Sequence, residues 1–169
     1  MQTSPDPSAI LKTAFGFWNS KVLLTAVTLG LFTTLGRRRL TAAELGTELG
    51  LHPRGWADFF DALVAMKFLE REGDGSGAKY FNTEEGALFL DASSPRYIGG
   101  ILEMLNARLF KFWDALPEAL RTGKPQNETK DGGSSIFDEL YQDPAKLEQF
   151  LNAMTGISRL NFEMFAEKF

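Results

Sequence analysis

The stretch Thr41-Ala-Ala-Glu-Leu-Gly-Thr-Glu-Leu-Gly50, followed by Leu51-His-Pro53, reads as a short helix with both ends marked. Thr41 and Glu44 have the spacing of a capping box, in which hydroxyl and carboxylate each take a backbone N–H of the other residue, and Gly50 supplies a left-handed stop. His52-Pro53 opens a second helix whose Trp56, Phe59, Phe60, Leu63, Val64 and Phe68 keep an apolar stripe. Phe68-Leu-Glu-Arg71 and Lys79-Tyr-Phe81 then flank Glu72-Gly-Asp-Gly-Ser-Gly-Ala78, the pattern of a β-hairpin with a glycine-rich tip. Helix, helix and hairpin in this order make a winged-helix module.

Upstream, residues 1–7 are polar with two prolines and read as a disordered tail. From Ser8, taken as an N-cap, Ile10, Leu11, Phe15, Trp18, Val22, Leu23, Ala26, Leu29 and Leu31 recur at helical spacing, suggesting two helices broken near Asn19-Ser20. They are apolar almost all round, as helices at a subunit interface are. Downstream, Thr83 caps a short helix that ends before Ser93-Ser94-Pro95. A long helix is expected over about Tyr97–Leu120 with a kink at Pro117, then a loop over Arg121–Ser135 rich in Gly, Asn, Lys and Pro. Asp143-Pro144 caps a last helix carrying Phe150, Leu151, Met154 and Ile157. This helix stays apolar up to Phe169 with no stop signal, so continuation into a further domain is expected. The organisation is mainly α: residues 8–92 a winged-helix domain, residues 93–169 a helical linker and lid.

Fifteen Phe among 169 residues exceed what one small core needs, which points to surface buried against a second copy or another domain. With no cysteine, disulfides, thiol catalysis and thiolate metal sites are excluded. A net charge of -4 offers no general attraction for nucleic acid or anionic membrane. Within Thr41–Glu72 the acids Glu44, Glu48, Asp58, Asp61, Glu70 and Glu72 outnumber Arg54, Lys67 and Arg71, so the module would repel phosphate. Arg37-Arg38-Arg39 is read as a solvated cluster complementing a helix end. Val22–Leu35 is too short to span a bilayer and no signal peptide precedes it, so a cytoplasmic protein is expected.

Catalytic machinery is hard to assemble. His52, the only histidine, is read as a cap, and no carboxylates are spaced to complete a metal site with it. Gly73–Gly77 precedes a strand, not a helix, so it is a hairpin tip and not a phosphate loop. Asn127-Glu-Thr129 matches a glycosylation acceptor without a secretory signal. What remains is Met104, Asn106, Phe110 and Trp113 on the long helix, with Phe150, Met154 and Ser158 on the last. Taken singly they are core residues; as a group they suit a cavity for a flat, largely apolar ligand.

Phe17-Trp-Asn-Ser-Lys21, Leu29-Gly-Leu-Phe32, Thr41-Ala-Ala-Glu-Leu45, Leu63-Val-Ala65 and Asn82-Thr83 together resemble the N-terminal dimerisation region of class I S-adenosylmethionine-dependent O-methyltransferases of the bacterial and plant small-molecule type. Tyr97–Leu109, Ala119–Asn127 and Phe150-Leu-Asn-Ala-Met-Thr-Gly156 resemble the helices just before the catalytic domain of such enzymes. The resemblance implies a homodimer in which Phe15, Trp18, Val22 and Leu29 lie at the interface. Met104, Asn106, Phe110, Trp113, Phe150 and Met154 would face the acceptor, and Ser158 would border the methyl donor. It places the glycine-rich donor loop, the ribose-binding acid and the general-base histidine in a later domain. This chain alone is therefore expected to be inactive, without bound cofactor or metal, and the acceptor to be a small aromatic or polyketide-like hydroxyl. A stand-alone dimerisation or regulatory module and a winged-helix ligand-binding regulator are the alternatives.

Overall fold

The computed structural model describes residues 5–130, 132–133 and 135–168. Residues 1–4 of the expected tail and the terminal Phe169 lie outside them. The chain opens with α1 (Ser8–Ala14), α2 (Gly16–Thr28) and α3 (Leu31–Leu35). The first break falls at Phe15, not at Asn19-Ser20, because the amide-rich turn continues helically and Ser20 donates its hydroxyl to the Gly16 carbonyl. The second break falls at Gly30, whose φ of 66° turns the chain into α3. Ser8 is not a cap: it begins α1, and its N–H and hydroxyl both donate to Asp6 Oδ1.

A short strand, β1 (Leu40–Thr41), leads into α4 (Ala42–Glu48), followed by α5 (Trp56–Ala65), β2 (Leu69–Glu72), β3 (Lys79–Asn82) and α6 (Glu84–Phe89). The Thr41–Glu44 capping box is formed in both directions. Gly50 sits at φ 64°, with its N–H on Thr47 and that of Leu51 on Gly46, the crossed pair of bonds that closes a helix C-terminus. His52 caps the turn before α5 by accepting from the Arg54 N–H. The hairpin pairs Leu69 with Asn82 and Glu72 with Lys79, and β1 adds to the free edge of β3 through Leu40 and Tyr80, giving the antiparallel order β1-β3-β2. Two residues of β1 lie below the length at which alternation can be read from sequence.

Phe32, Leu35, Leu45, Phe60, Leu63, Leu69 and Tyr80 form the core of this module, all essentially inaccessible. The three arginines are exposed, and two of them are also paired. Arg38 makes two bonds to Glu48 and one to the Thr34 carbonyl at the end of α3, while Arg39 pairs with Glu72 and lies over the Phe81 ring.

The expected long helix is one helical path with irregular turns: α7 (Gly99–Met104), a π-turn over Leu105–Leu109, α8 (Phe110–Phe112), a 3-10 turn over Trp113–Ala115, and α9 (Leu116–Thr122). Pro117 explains the 3-10 turn, since its ring clashes with the carbonyl four residues back and it has no N–H to donate. Among the described residues, 124–130, 132–133 and 135 lie outside helix and strand, and α10 (Ile136–Gln142) follows where the sequence pattern predicts no helix; a second capping box, Ser135 with Asp138, starts it. The last helix, α11 (Pro144–Lys168), begins where expected, with Asp143 accepting from the N–H groups of Ala145 and Lys146. Among the described residues no helix is long and apolar enough to cross a membrane.

Candidate functional site

Glycine allows α7 and α11 to cross at close range. A Cβ on Gly100 would stand 3.3 Å from the backbone of Asn152 and Ala153, and one on Gly156 would meet the Tyr97 carbonyl at 3.4 Å. Ala153 is fully buried at this crossing. Tyr97 packs over Gly99 and donates to Glu103 at 2.7 Å; burial first, then that hydrogen bond, push its hydroxyl well above the usual tyrosine range.

Beyond the crossing the helices diverge and leave a cavity of about 320 Å³. Met104, Phe112, Leu140 and Phe150 make its apolar walls, and Arg108, Lys111, Glu128, Lys146 and Gln149 its polar ones. Arg108 reaches Glu128 through Nε at 2.5 Å and through a terminal nitrogen at 3.0 Å, a fork-to-carboxylate pair with both side chains about three-quarters covered. The Arg108 hydrogen bond holds the Glu128 carboxyl below its ordinary value.

The residues expected to share one acceptor cavity are distributed over three concavities. Met104 and Phe150 line the cavity just described. Phe110 and Trp113 line a more open groove of about 500 Å³ against α2, with Phe17, Ser20 and Leu24. Met154 and Ser158 lie in a shallow groove along α11 with Leu151, Arg159 and Phe162. Asn106 lines none of them: it accepts from Lys21 Nζ at 2.5 Å and donates to the Thr28 hydroxyl at 2.9 Å, tying the π-turn to α2. Arg108, Lys111, Glu128 and Lys146 escaped the sequence reading. The spacing Met104, Arg108, Lys111, Phe112 does put two cations and two apolar groups on one helix face, but nothing in the loop marked Glu128 as their neighbour.

Of the expected interface residues, Phe15 and Trp18 are about half exposed, their rings stacked at 4.8 Å and 4° apart, beside exposed Ile10, Leu11 and Phe17. Nothing in α1 is buried. Val22 instead packs on the core of its own chain, and Leu29 lines a shallow groove with Leu51, His52 and Phe59.

Residues 11–92 match the family profile of the O-methyltransferase dimerisation domain. This chain carries an O-methyltransferase dimerisation domain. Relatives extend the similarity beyond that domain: the tetracenomycin polyketide synthesis 8-O-methyl transferase of Streptomyces glaucescens is 40% identical over 152 residues, covering 90% of this chain and 43% of that protein. Acetylserotonin O-methyltransferase of Gallus gallus is 32% identical over 155 residues, covering 89% and 45%. The human N-acetylserotonin methyltransferase crystal structure, in complex with S-adenosylmethionine, superposes with a TM-score of 0.81 at 28% identity over 93% of this chain and 47% of that one. The chain thus spans less than half the length of these relatives. Beyond the dimerisation domain, the similarity takes in the crossing of α7 and α11 and the cavity beside it.

The described residues do not by themselves fit the methyl donor. Their sheet is the small antiparallel one, Ser158 lies on an open face of α11, and none of their glycines stands in a strand-to-helix phosphate turn. No group of three His, Asp or Glu among the described residues could hold a metal ion.

Proposed function

We propose that this chain is the dimerisation and acceptor-lid part of an S-adenosylmethionine-dependent O-methyltransferase that acts as a homodimer on a small aromatic or polyketide-like hydroxyl in the cytoplasm. Residues 8–92 pair the subunits and residues 93–168 form one wall of the acceptor site. The observation that carries this reading is the dimerisation-domain match combined with an exposed apolar face running from Ile10 and Leu11 of α1 through Phe15 to Phe17 and Trp18 of α2, which a second copy would cover. The acidic character of α5, with Asp58 exposed and Asp61 accepting from Tyr80, supports subunit pairing over duplex binding.

In this division of labour the chain's own residues bind and orient the acceptor and exclude water. Phe15 and Trp18 of one subunit close the groove of Phe110 and Trp113 in the other, Met104, Phe150 and Met154 face the acceptor, and Asn106 ties the π-turn after Met104 to α2. The donor supplies an electrophilic methyl group, held by a catalytic domain that Ser158 borders. Calorimetric titration with S-adenosylhomocysteine tests this: the 169-residue chain gives no binding heat and sediments as a dimer. Clear binding by this chain, or a monomer at all concentrations, contradicts it.

A further inference from the structure

The cavity beside the α7–α11 crossing holds more positive charge than its own ion pairs neutralise. Arg108 and Glu128 satisfy each other through two hydrogen bonds. Lys111 enters no hydrogen bond or ion pair among the described residues, although it lines the cavity together with apolar Met104 and Phe112. Lys146 approaches Asp143 only at 3.7 Å, with both side chains largely in water, a contact of small worth. Its field nevertheless reaches inward, since it helps to keep the Glu128 carboxyl ionised. Arg108, Lys111 and Lys146 against Glu128 and Asp143 leave one positive charge in excess at the edge of a cavity walled by Met104, Leu140 and Phe150, with Lys111 unpaired among the described residues and Lys146 only loosely held.

Such a cavity discriminates by charge. A purely apolar ring would leave Lys111 to water and Lys146 to its loose contact with Asp143, whereas a ring carrying an anion meets apolar walls and counter-charges together. We propose that this cavity selects acceptors bearing a carboxylate on an aromatic skeleton, with the ring against Met104 and Phe150 and the carboxylate between Lys111 and Lys146. Glu128, held by Arg108, repels a second anion on its own side and so fixes which end of the ligand enters. The assignment rests on the acceptor-site reading above and adds the substrate class to it.

The test is calorimetric titration of the 169-residue chain with 3-hydroxy-2-naphthoate and with uncharged 2-naphthol at low and moderate salt. The naphthoate is expected to bind about tenfold tighter, the ratio set by ~1.4 kcal/mol, with a preference that shrinks as salt rises. Lys111→Met and Lys146→Met keep the apolar stems, lie at exposed positions, and each lower that preference several-fold with unchanged circular dichroism. Equal affinities, or a preference that survives the double substitution, overturn the carboxylate assignment and leave the aromatic-acceptor reading standing. Binding of neither probe overturns both.

Discussion

The Asn82 side-chain amide donates to the carbonyl of Phe32 at 2.8 Å, and the same nitrogen reaches the Gly36 carbonyl at 3.1 Å. One residue of β3 thus terminates α3 at a point where Phe32 is inaccessible to water. Asn82→Ala takes the side-chain donor from the Gly36 carbonyl and leaves the Phe32 carbonyl with the Gly36 N–H alone, in the core of the dimerisation domain. Urea unfolding should show stability lowered by about 1–3 kcal/mol, the cost of unsatisfied buried polar groups.

The α7–α11 crossing predicts a steric effect. Gly100→Val sets a branched side chain against the backbone of Asn152 and Ala153, which cannot rotate away, and overpacking of this kind costs ~1–3 kcal/mol. Gly77→Ala, where an added Cβ meets nothing within 4 Å, is the matched control. Thermal melting should separate the two variants clearly.

Stability should depend on pH at both limits. Glu128 is held below its ordinary value of 4.5, so its contribution is complete above that value and is lost as pH falls through the lowered one; Glu128→Gln flattens the acid limb. Tyr80 is pushed up to about 12 by burial and by its bond to Asp61, so its contribution is present below the ordinary value of 10.0 and is lost as pH rises through about 12. Tyr80→Phe flattens the alkaline limb. Chemical denaturation followed from pH 3 to above 12 checks both.

Association is predicted to depend on the stacked pair Phe15 and Trp18. Phe15→Ser with Trp18→Ser removes aromatic surface that the chain's own core does not use, because both rings are about half exposed and stack on each other. Sedimentation velocity should show the dimer shifting toward monomer at a given concentration, while circular dichroism is preserved.

Much of the dimerisation domain was legible in the sequence because its signals are local. Thr41 with Glu44, Gly50, Thr83 and Asp143 each fix a helix end through atoms a few residues apart. β1 was not legible: two residues carry no pattern, and their pairing with Tyr80 and Lys79 is set by the tertiary fold. The candidate site was legible as a set of side chains but not as an arrangement. Asn106 looks like a pocket amide from its neighbours in sequence, yet Lys21 and Thr28, far away in the chain, engage it. Arg108 and Glu128 are twenty residues apart, across α8, α9 and the turn at Gly123, a separation at which no periodicity can predict contact.

The π-turn at Leu105–Leu109 acts as a phase shifter. It spaces the helix by more than the ordinary 3.6 residues per turn, so side chains before and after it are rotated relative to a regular helix. Met104, just before the turn, lines one concavity, and Phe110 with Trp113, after it, line another. Deleting a single residue here, such as Ala107, would return the segment to regular winding and leave the downstream face where it is, because the wide turn takes up one residue. One residue of chain length is thus taken up inside the turn, and the side chains that line the two concavities keep their aim.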